Sequence, residues 1–274
     1  MNPIPKVVVA APTFLSTFHT AIQEHLRKWL RPDEMMLQSV TDEPELQTRT
    51  LSQGLVRSRP RALIAITIRP APEVLAAYAA AGIPIVLIDE DAPGVPSVAI
   101  DNFVGGRMVG EYFASKGRKR VAAVSGPLNV KGSFSSDERM RGFQAALESR
   151  KIVFSQSALI EAPHFSREDG LAAAPTLAAL GIDAVFCAAG DICATGLLLG
   201  FRQRQLRVPD DIAVVGYDDL MMAQIARPAL TTVKQPLERM AEVAYRIAVL
   251  EGARAIGKGE KVKFPPELVV RQSA

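Results

Sequence analysis

Between Val208 and Pro236 the chain reads VPDDIAVVGYDDLMMAQIARPALTTVKQP. Pro209 and Asp210-Asp211 make a turn, because proline presets its own φ and aspartate bonds back to nearby backbone. Ile212 to Val215 is the short apolar run that a strand buried on both faces requires. Gly216 is expected to end that strand, leaving Tyr217, Asp218 and Asp219 beyond its carboxyl end. In open α/β sheets ligands bind there, and a carboxylate in that place accepts hydrogen bonds from hydroxyls or amines. On spacing alone, Asp218 or Asp219 reads first as the cap of a short helix, Leu220 to Ile225. A second strand follows and stops at Pro236.

Outward from this segment the composition is that of a globular chain. With 274 residues, 48% hydrophobic and 22% charged, it can bury a large core and has room for two domains. The net charge of +3 is small and its basic residues are dispersed. The densest local run, KGRKR at 116–120, leads straight into an apolar strand, so it reads as a solvated turn and not as a nucleic-acid patch. Cys187 and Cys193 suit two thiols in a reducing compartment. His19, His25 and His164 show no metal-ligand spacing. There is no secretory signal pattern and no apolar stretch long enough to span a membrane, so a cytoplasmic location with no membrane partner is expected.

In chain order, strands are expected at 6–11, 35–40, 63–68, 85–88, 97–101, 121–124, 158–161, 184–187 and 268–270, besides the two of the opening segment. Helices are expected at 14–30, 44–56, 72–81, 102–115, 137–148, 167–180, 191–204 and 236–250, with Asn102 capping the fourth. Alternating strands and helices imply parallel sheets with right-handed crossovers. About ten strands are too many for one comfortable sheet. The expected fold class is therefore α/β, with two doubly wound parallel-sheet subdomains facing a ligand cleft. The residues after the first strand read AAPTFLS, without a Gly-x-Gly-x-x-Gly fingerprint, and no phosphate-binding P-loop occurs. This argues against a dinucleotide-binding dehydrogenase or a P-loop NTPase, and no cofactor is expected.

The segment 208–244 with ELVVRQS (267–273), together with KVVVAAP at the start, AIDN (99–102), RMRGF (139–143) and GDICATG (190–196), resembles the effector-binding core of the lactose-repressor (LacI/GalR) family of bacterial transcription regulators. The likeness covers nearly the whole chain, and PALTTVKQP resembles the regulators more than their secreted sugar-binding relatives. It implies a periplasmic-binding-protein-like fold with three chain crossings. One subdomain would be 1–117 plus 236–255, and the other 118–235 plus 256–274. It further implies a homodimer, for which the first helices and 69–81 are candidate surfaces. DNA would be bound only through an N-terminal helix-turn-helix module, which is not in this sequence; the expectation is a truncated regulator.

The same resemblance implies the ligand-binding residues. Arg139 would fork onto ligand hydroxyls or a carboxylate, as its planar guanidinium allows. Asp218 would accept from sugar hydroxyls, and Phe165 would pack on the ring face. Phe18 and His19 would line the cleft from the other half, with Asp101 at a further strand end. Read alone, Arg139 would be a surface arginine, and Phe18 or Phe165 an ordinary packing residue. Gly190-Asp191 replaces the family's Asn-Asp and removes a side-chain amide, so Asp191 either compensates or caps its helix. Lys131 or Ser133, in a long loop, could also reach the ligand. The function expected is the sensing of a small sugar-like effector, with a stand-alone solute-binding protein as the alternative. An enzyme using Asp89, Glu90 and Asp91 is not supported by any nucleophile–base pair or metal-ligand pattern.

Overall fold

The structure is a computed structural model that describes residues 6–14, 16–41, 43–129 and 134–274. In chain order its elements are β1 (Val7–Ala11), α1 (Thr17–Leu26), β2 (Met35–Ser39), α2 (Pro44–Ser58), β3 (Ala62–Ile66), α3 (Pro72–Ala80), β4 (Ile85–Ile88), β5 (Ser97–Ile100) and α4 (Asn102–Ser115). They continue with β6 (Val121–Ser125), α5 (Phe134–Ser149), β7 (Leu159–Glu161), α6 (Arg167–Ala179), β8 (Ala184–Cys187), α7 (Asp191–Gln203) and β9 (Ala213–Asp218). The last are α8 (Met221–Ile225), β10 (Thr231–Lys234), α9 (Leu237–Tyr245), β11 (Lys261–Phe264) and β12 (Glu267–Val269).

Two compact units result. The first holds the chain up to Ile100 and returns for Pro236–Phe264; the second holds Asp101–Gln235 and Pro265–Ala274. Each is built on one six-stranded sheet, ordered β11-β5-β4-β3-β1-β2 in the first and β12-β10-β9-β8-β6-β7 in the second. Every pairing is parallel except β10 with β12. The central strands are buried on both faces: β1, β3, β6 and β8 have no residue open to solvent. This is the physical consequence of covering a parallel sheet with helices on both sides.

The unit boundaries differ from those expected at 117/118 and 255/256. α4 belongs to the second unit because it packs along α5, not on the first sheet. β11, absent from the sequence expectation, pairs with β5 and so draws residues through Phe264 into the first unit. Its LysValLysPhe alternation is half-exposed edge-strand patterning, weaker than the apolar runs that mark central strands. Gly216 does not end its strand: β9 runs on through Tyr217 to Asp218, with Gly216 opposite Thr232 of β10.

The α4–α5 pairing explains the sequence NFVGGRMVG at 102–110. Asn102, Gly105, Gly106, Val109 and Gly110 are buried on one stripe of α4. A Cβ at Gly106 would lie 1.9 Å from the Arg139 carbonyl oxygen, and one at Gly142 of α5 would lie 1.9 Å from that of Phe103. The two helix backbones therefore touch, each through the other's glycine. Gly142→Ala should lower stability although alanine is the better helix former by about 1 kcal/mol. Overpacking of this kind costs about 1–3 kcal/mol, and here the obstacle is backbone that no rotamer change relieves. Thermal unfolding should show the variant melting several degrees below wild type, whereas Gly181→Asn, at a helix end with open space around it, should leave the melting temperature nearly unchanged.

Candidate functional site

The carboxyl ends of β6, β8 and β9 gather the polar side chains of the second unit. Arg139 comes from the second turn of α5 and is only 6% exposed, so it is no surface arginine. Its Nε donates to Asn102 Oδ1 at 2.8 Å and its Nη1 to the Ala188 carbonyl at 3.0 Å. The guanidinium carbon lies 3.8 Å from the centre of the Tyr217 ring, a cation–π contact strengthened by burial. Tyr217 in turn donates its hydroxyl to Asn102 Oδ1 at 3.0 Å. Asn102 is thus a buried acceptor for two donors, not the cap of α4. The cap is Asp101, which accepts from the Val104 N–H at 3.0 Å. Proximity in sequence made the two exchangeable; only the position of α5 separates their roles.

Asp218 stands at the end of β9 with φ +108°, and Asp219 follows with φ +57°. Non-glycine residues held at positive φ are strained, and such strain concentrates at functional positions. Neither aspartate caps α8, whose N-cap is Leu220 without a side-chain bond. Asp218 Oδ1 accepts from Gln235 Nε2 at 2.7 Å. Asp219 Oδ1 accepts from Arg271 Nη2 at 2.6 Å, with both side chains largely buried.

Asp191 lies inside the unit and is fully buried. Its Oδ2 accepts from the Leu220 N–H at 2.8 Å and its Oδ1 from the Thr232 hydroxyl at 2.6 Å. Both oxygens are used in joining α7 to β10 and to the start of α8. The structure places the Asp191 carboxylate inside the unit, with both oxygens bonded to protein. Burial, then the nearby Asp218 charge, push its pKa well above the aspartate range. Gly216 makes the room, since a Cβ there would lie 2.4 Å from Asp191 Oδ1. Gly190, at φ +100°, has its own reason: a Cβ would meet Asp218 Oδ2 at 2.9 Å in a conformation side-chain-bearing residues rarely adopt.

Phe165 follows β7, is 45% exposed, and lays its ring over Gly126 just past β6. Next to it the hydroxyl of Ser125, last residue of β6, is buried without a hydrogen-bond partner among the described residues. An orphaned buried polar atom of this kind costs about 1–3 kcal/mol. Ser125 and Gln235 went unnoticed in the sequence because an isolated serine or glutamine at a strand end carries no motif. Lys131 and Ser133 lie outside the described residues.

In the first unit, His19 is buried on α1. Its Nδ1 is 2.6 Å from the Thr13 carbonyl and its Nε2 2.8 Å from Thr67 Oγ1. A carbonyl only accepts, so Nδ1 carries a proton. His19 thereby ties the segment after β1 to the residue after β3, and Phe18 sets its ring edge-on against it at 5.9 Å. At the end of β4, Asp89 takes φ +57° and Glu90 is buried, with burial raising its pKa. Among the described residues no group of three or more His, Cys, Asp or Glu could hold a metal ion. None of the helices described is long and apolar enough to cross a membrane.

Each unit is an α/β sheet with strained acidic residues at strand carboxyl ends, and in the second unit Arg139 of α5 is buried against that edge. The family described as a periplasmic binding protein-like domain matches residues 111–274, and the chain belongs to it. Curated relatives include the HTH-type transcriptional regulator DegA of Bacillus subtilis (strain 168), 31% identical over 169 residues, covering 62% of this chain and 49% of the relative. The HTH-type transcriptional repressor PurR of Erwinia tasmaniensis is 35% identical over 175 residues, with the same coverage of each. The match spans about half the length of these relatives. Among solved structures, a LacI family transcriptional regulator from Lactobacillus casei with bound sucrose superposes with a TM-score of 0.85 at 25% identity, over 99% of this chain and 100% of that one. The resemblance to the effector-binding core of the lactose-repressor family is borne out, as is the fold class.

The buried Asp191 carboxyl gives a pH test. Its raised pKa means that the folded state binds the proton more tightly than the unfolded state. Stability from this group is therefore full below the ordinary aspartate pKa and is lost as pH rises from there toward the folded value. Asp191→Asn mimics the protonated acid and should remove that loss. Between about pH 4 and pH 8, the melting temperature of Asp191→Asn minus that of wild type should increase with pH. A difference that is flat or falls over that range would show that the carboxylate is accommodated ionised.

Proposed function

We propose that this chain is the sensing core of a LacI-type transcription regulator, and that a small, polar, sugar-like effector binds at the carboxyl edge of the second sheet. The observation that carries the reading is Asp218, held at φ +108° on the same sheet edge as the buried Arg139. Arg139 offers fixed donors, Asp218 accepts from hydroxyls, and the exposed Phe165 ring covers an apolar sugar face. Phe18 and His19 on α1, and Asp101 after β5, are the further contacts proposed. Asp191 acts from inside, through Leu220 and Thr232. The sucrose in the Lactobacillus casei relative supports the ligand class.

The regulatory half of the reading rests on the relatives, which are HTH-type regulators by name. The effector favours one conformational state by binding it more tightly than another. A helix-turn-helix module outside these 274 residues reads that shift at DNA, and the protein works as a homodimer. Exposed apolar side chains on α2, Val56 at 79% and Leu46 at 44%, supply dimer surface beside the alanine-rich α3.

A thermal-shift screen of sugars, polyols, sugar phosphates and nucleobases tests the site. A ligand at 100 times its Kd adds about 2.7 kcal/mol to the folded state, a rise of several degrees. Wild type should show that rise with at least one neutral sugar, and Arg139→Lys and Asp218→Asn should lose it while still melting cooperatively. A rise retained by both variants places the ligand elsewhere.

A further inference from the structure

The Asp218 carboxylate does not hold its own position. Gln235, the residue after β10, donates its Nε2 to Asp218 Oδ1 at 2.7 Å and its backbone N–H to the Asp218 carbonyl at 3.4 Å. The first bond decides which way the amide points. The NH2 faces the carboxylate, so the carbonyl Oε1 faces away. That Oε1 is buried, and among the described residues it has no hydrogen-bond partner. Gln235 itself is 3% exposed. Only three buried side-chain atoms among the described residues are left in this condition, and two of them, Ser125 Oγ and Gln235 Oε1, belong to the carboxyl edge of the second sheet. Gln235 is also the last residue of the second unit before the chain passes to the first.

We infer that Gln235 is a positioning residue for Asp218 and that its Oε1 accepts a hydrogen bond from the effector. The inference rests on the effector-sensing reading and narrows the ligand. Beside Asp218 the protein presents acceptors: the aspartate carboxylate and the glutamine carbonyl. The group placed there must donate, as a hydroxyl or an amine does. A carboxylate or phosphate in that place would meet acceptors and a like charge. The effector is therefore a polyol, glycoside or amine that directs O–H or N–H groups at this corner.

Two measurements test this. The first needs no ligand: melting temperatures of wild type, Gln235→Met, Asp218→Gly and the double variant. Glycine suits the positive φ of position 218, so that variant is expected to fold. Gln235→Met should shift the melting temperature by ~2–4 °C in the wild-type background and leave it nearly unchanged when Asp218 is already glycine. Additive shifts would overturn the positioning role. The second is calorimetric titration with sucrose, cellobiose, D-ribose and hypoxanthine. For whichever probe binds wild type, Gln235→Met should weaken binding at least tenfold. Gln235→Glu should bind near pH 4.5, where the protonated acid keeps the amide's donor and acceptor pattern, and lose affinity at pH 7.5. Unchanged affinity in Gln235→Met would overturn the inference alone. A wild type that binds none of the four sinks the sensing reading for these ligand classes and this inference with it, an outcome distinct from the other two.

Discussion

The guanidinium of Arg139 is the contact on which the second unit converges. A buried cation is costly unless donors and charge are satisfied in place. Here α5 supplies the arginine, α4 the Asn102 acceptor, the end of β8 the Ala188 carbonyl, and β9 the Tyr217 ring. Four elements must therefore be in register at once. The glycines of α4 make this possible. Gly106 lets the α5 backbone approach, and Gly105 leaves space for the Tyr217 hydroxyl, which would otherwise lie 2.3 Å from a Cβ. Close helix packing and a polar, buried knot at the sheet edge are one arrangement, not two.

Around that knot three aspartates are handled by three different means. Asp219 is ion-paired with Arg271. Asp191 is fully buried, its oxygens used internally and its pKa raised. Asp218 is held by the Gln235 amide in strained backbone. Like charges crowded at one sheet edge would repel; ion pairing, burial with a raised pKa and amide bonding treat the three differently, and Asp191 alone is fully buried. The C-terminal residues complete the support. β12 pairs antiparallel with β10, and the Ser273 hydroxyl accepts from the Thr231 N–H while donating to the Val214 carbonyl. The last residues of the chain thus brace the strands that carry Tyr217 and Asp218.

The first unit repeats the logic with different residues. Thr67 after β3 and Asp89 after β4 both take positive φ, as Asp218 does at the last position of β9. His19 locks Thr67 to the segment after β1 through both ring nitrogens. In each unit, rigid parallel strands deliver irregular, strained backbone at their carboxyl ends, where the local geometry is set by side chains from neighbouring elements and not by the strand itself.

Most of the strands and helices were legible because buried parallel strands are short apolar runs and the helices between them keep their own period. Arg139, Asp218 and Phe165 were marked only by the resemblance to family motifs; read alone, Arg139 would have been a surface arginine and Phe165 an ordinary packing residue. β11 was missed because an edge strand alternates weakly. Asn102 was expected to cap its helix and Asp101 does so instead, because adjacent polar residues at a helix start look alike until the opposing helix is placed. The sequence by itself determined the two doubly wound α/β halves, since apolar periodicity and turn residues are local properties. Only tertiary structure decided that Arg139 is buried, that Asp191 is withdrawn inside, and that Gln235 holds Asp218. Those facts depend on hydrogen-bond partners and burial contributed by segments distant in the chain, which no local pattern encodes.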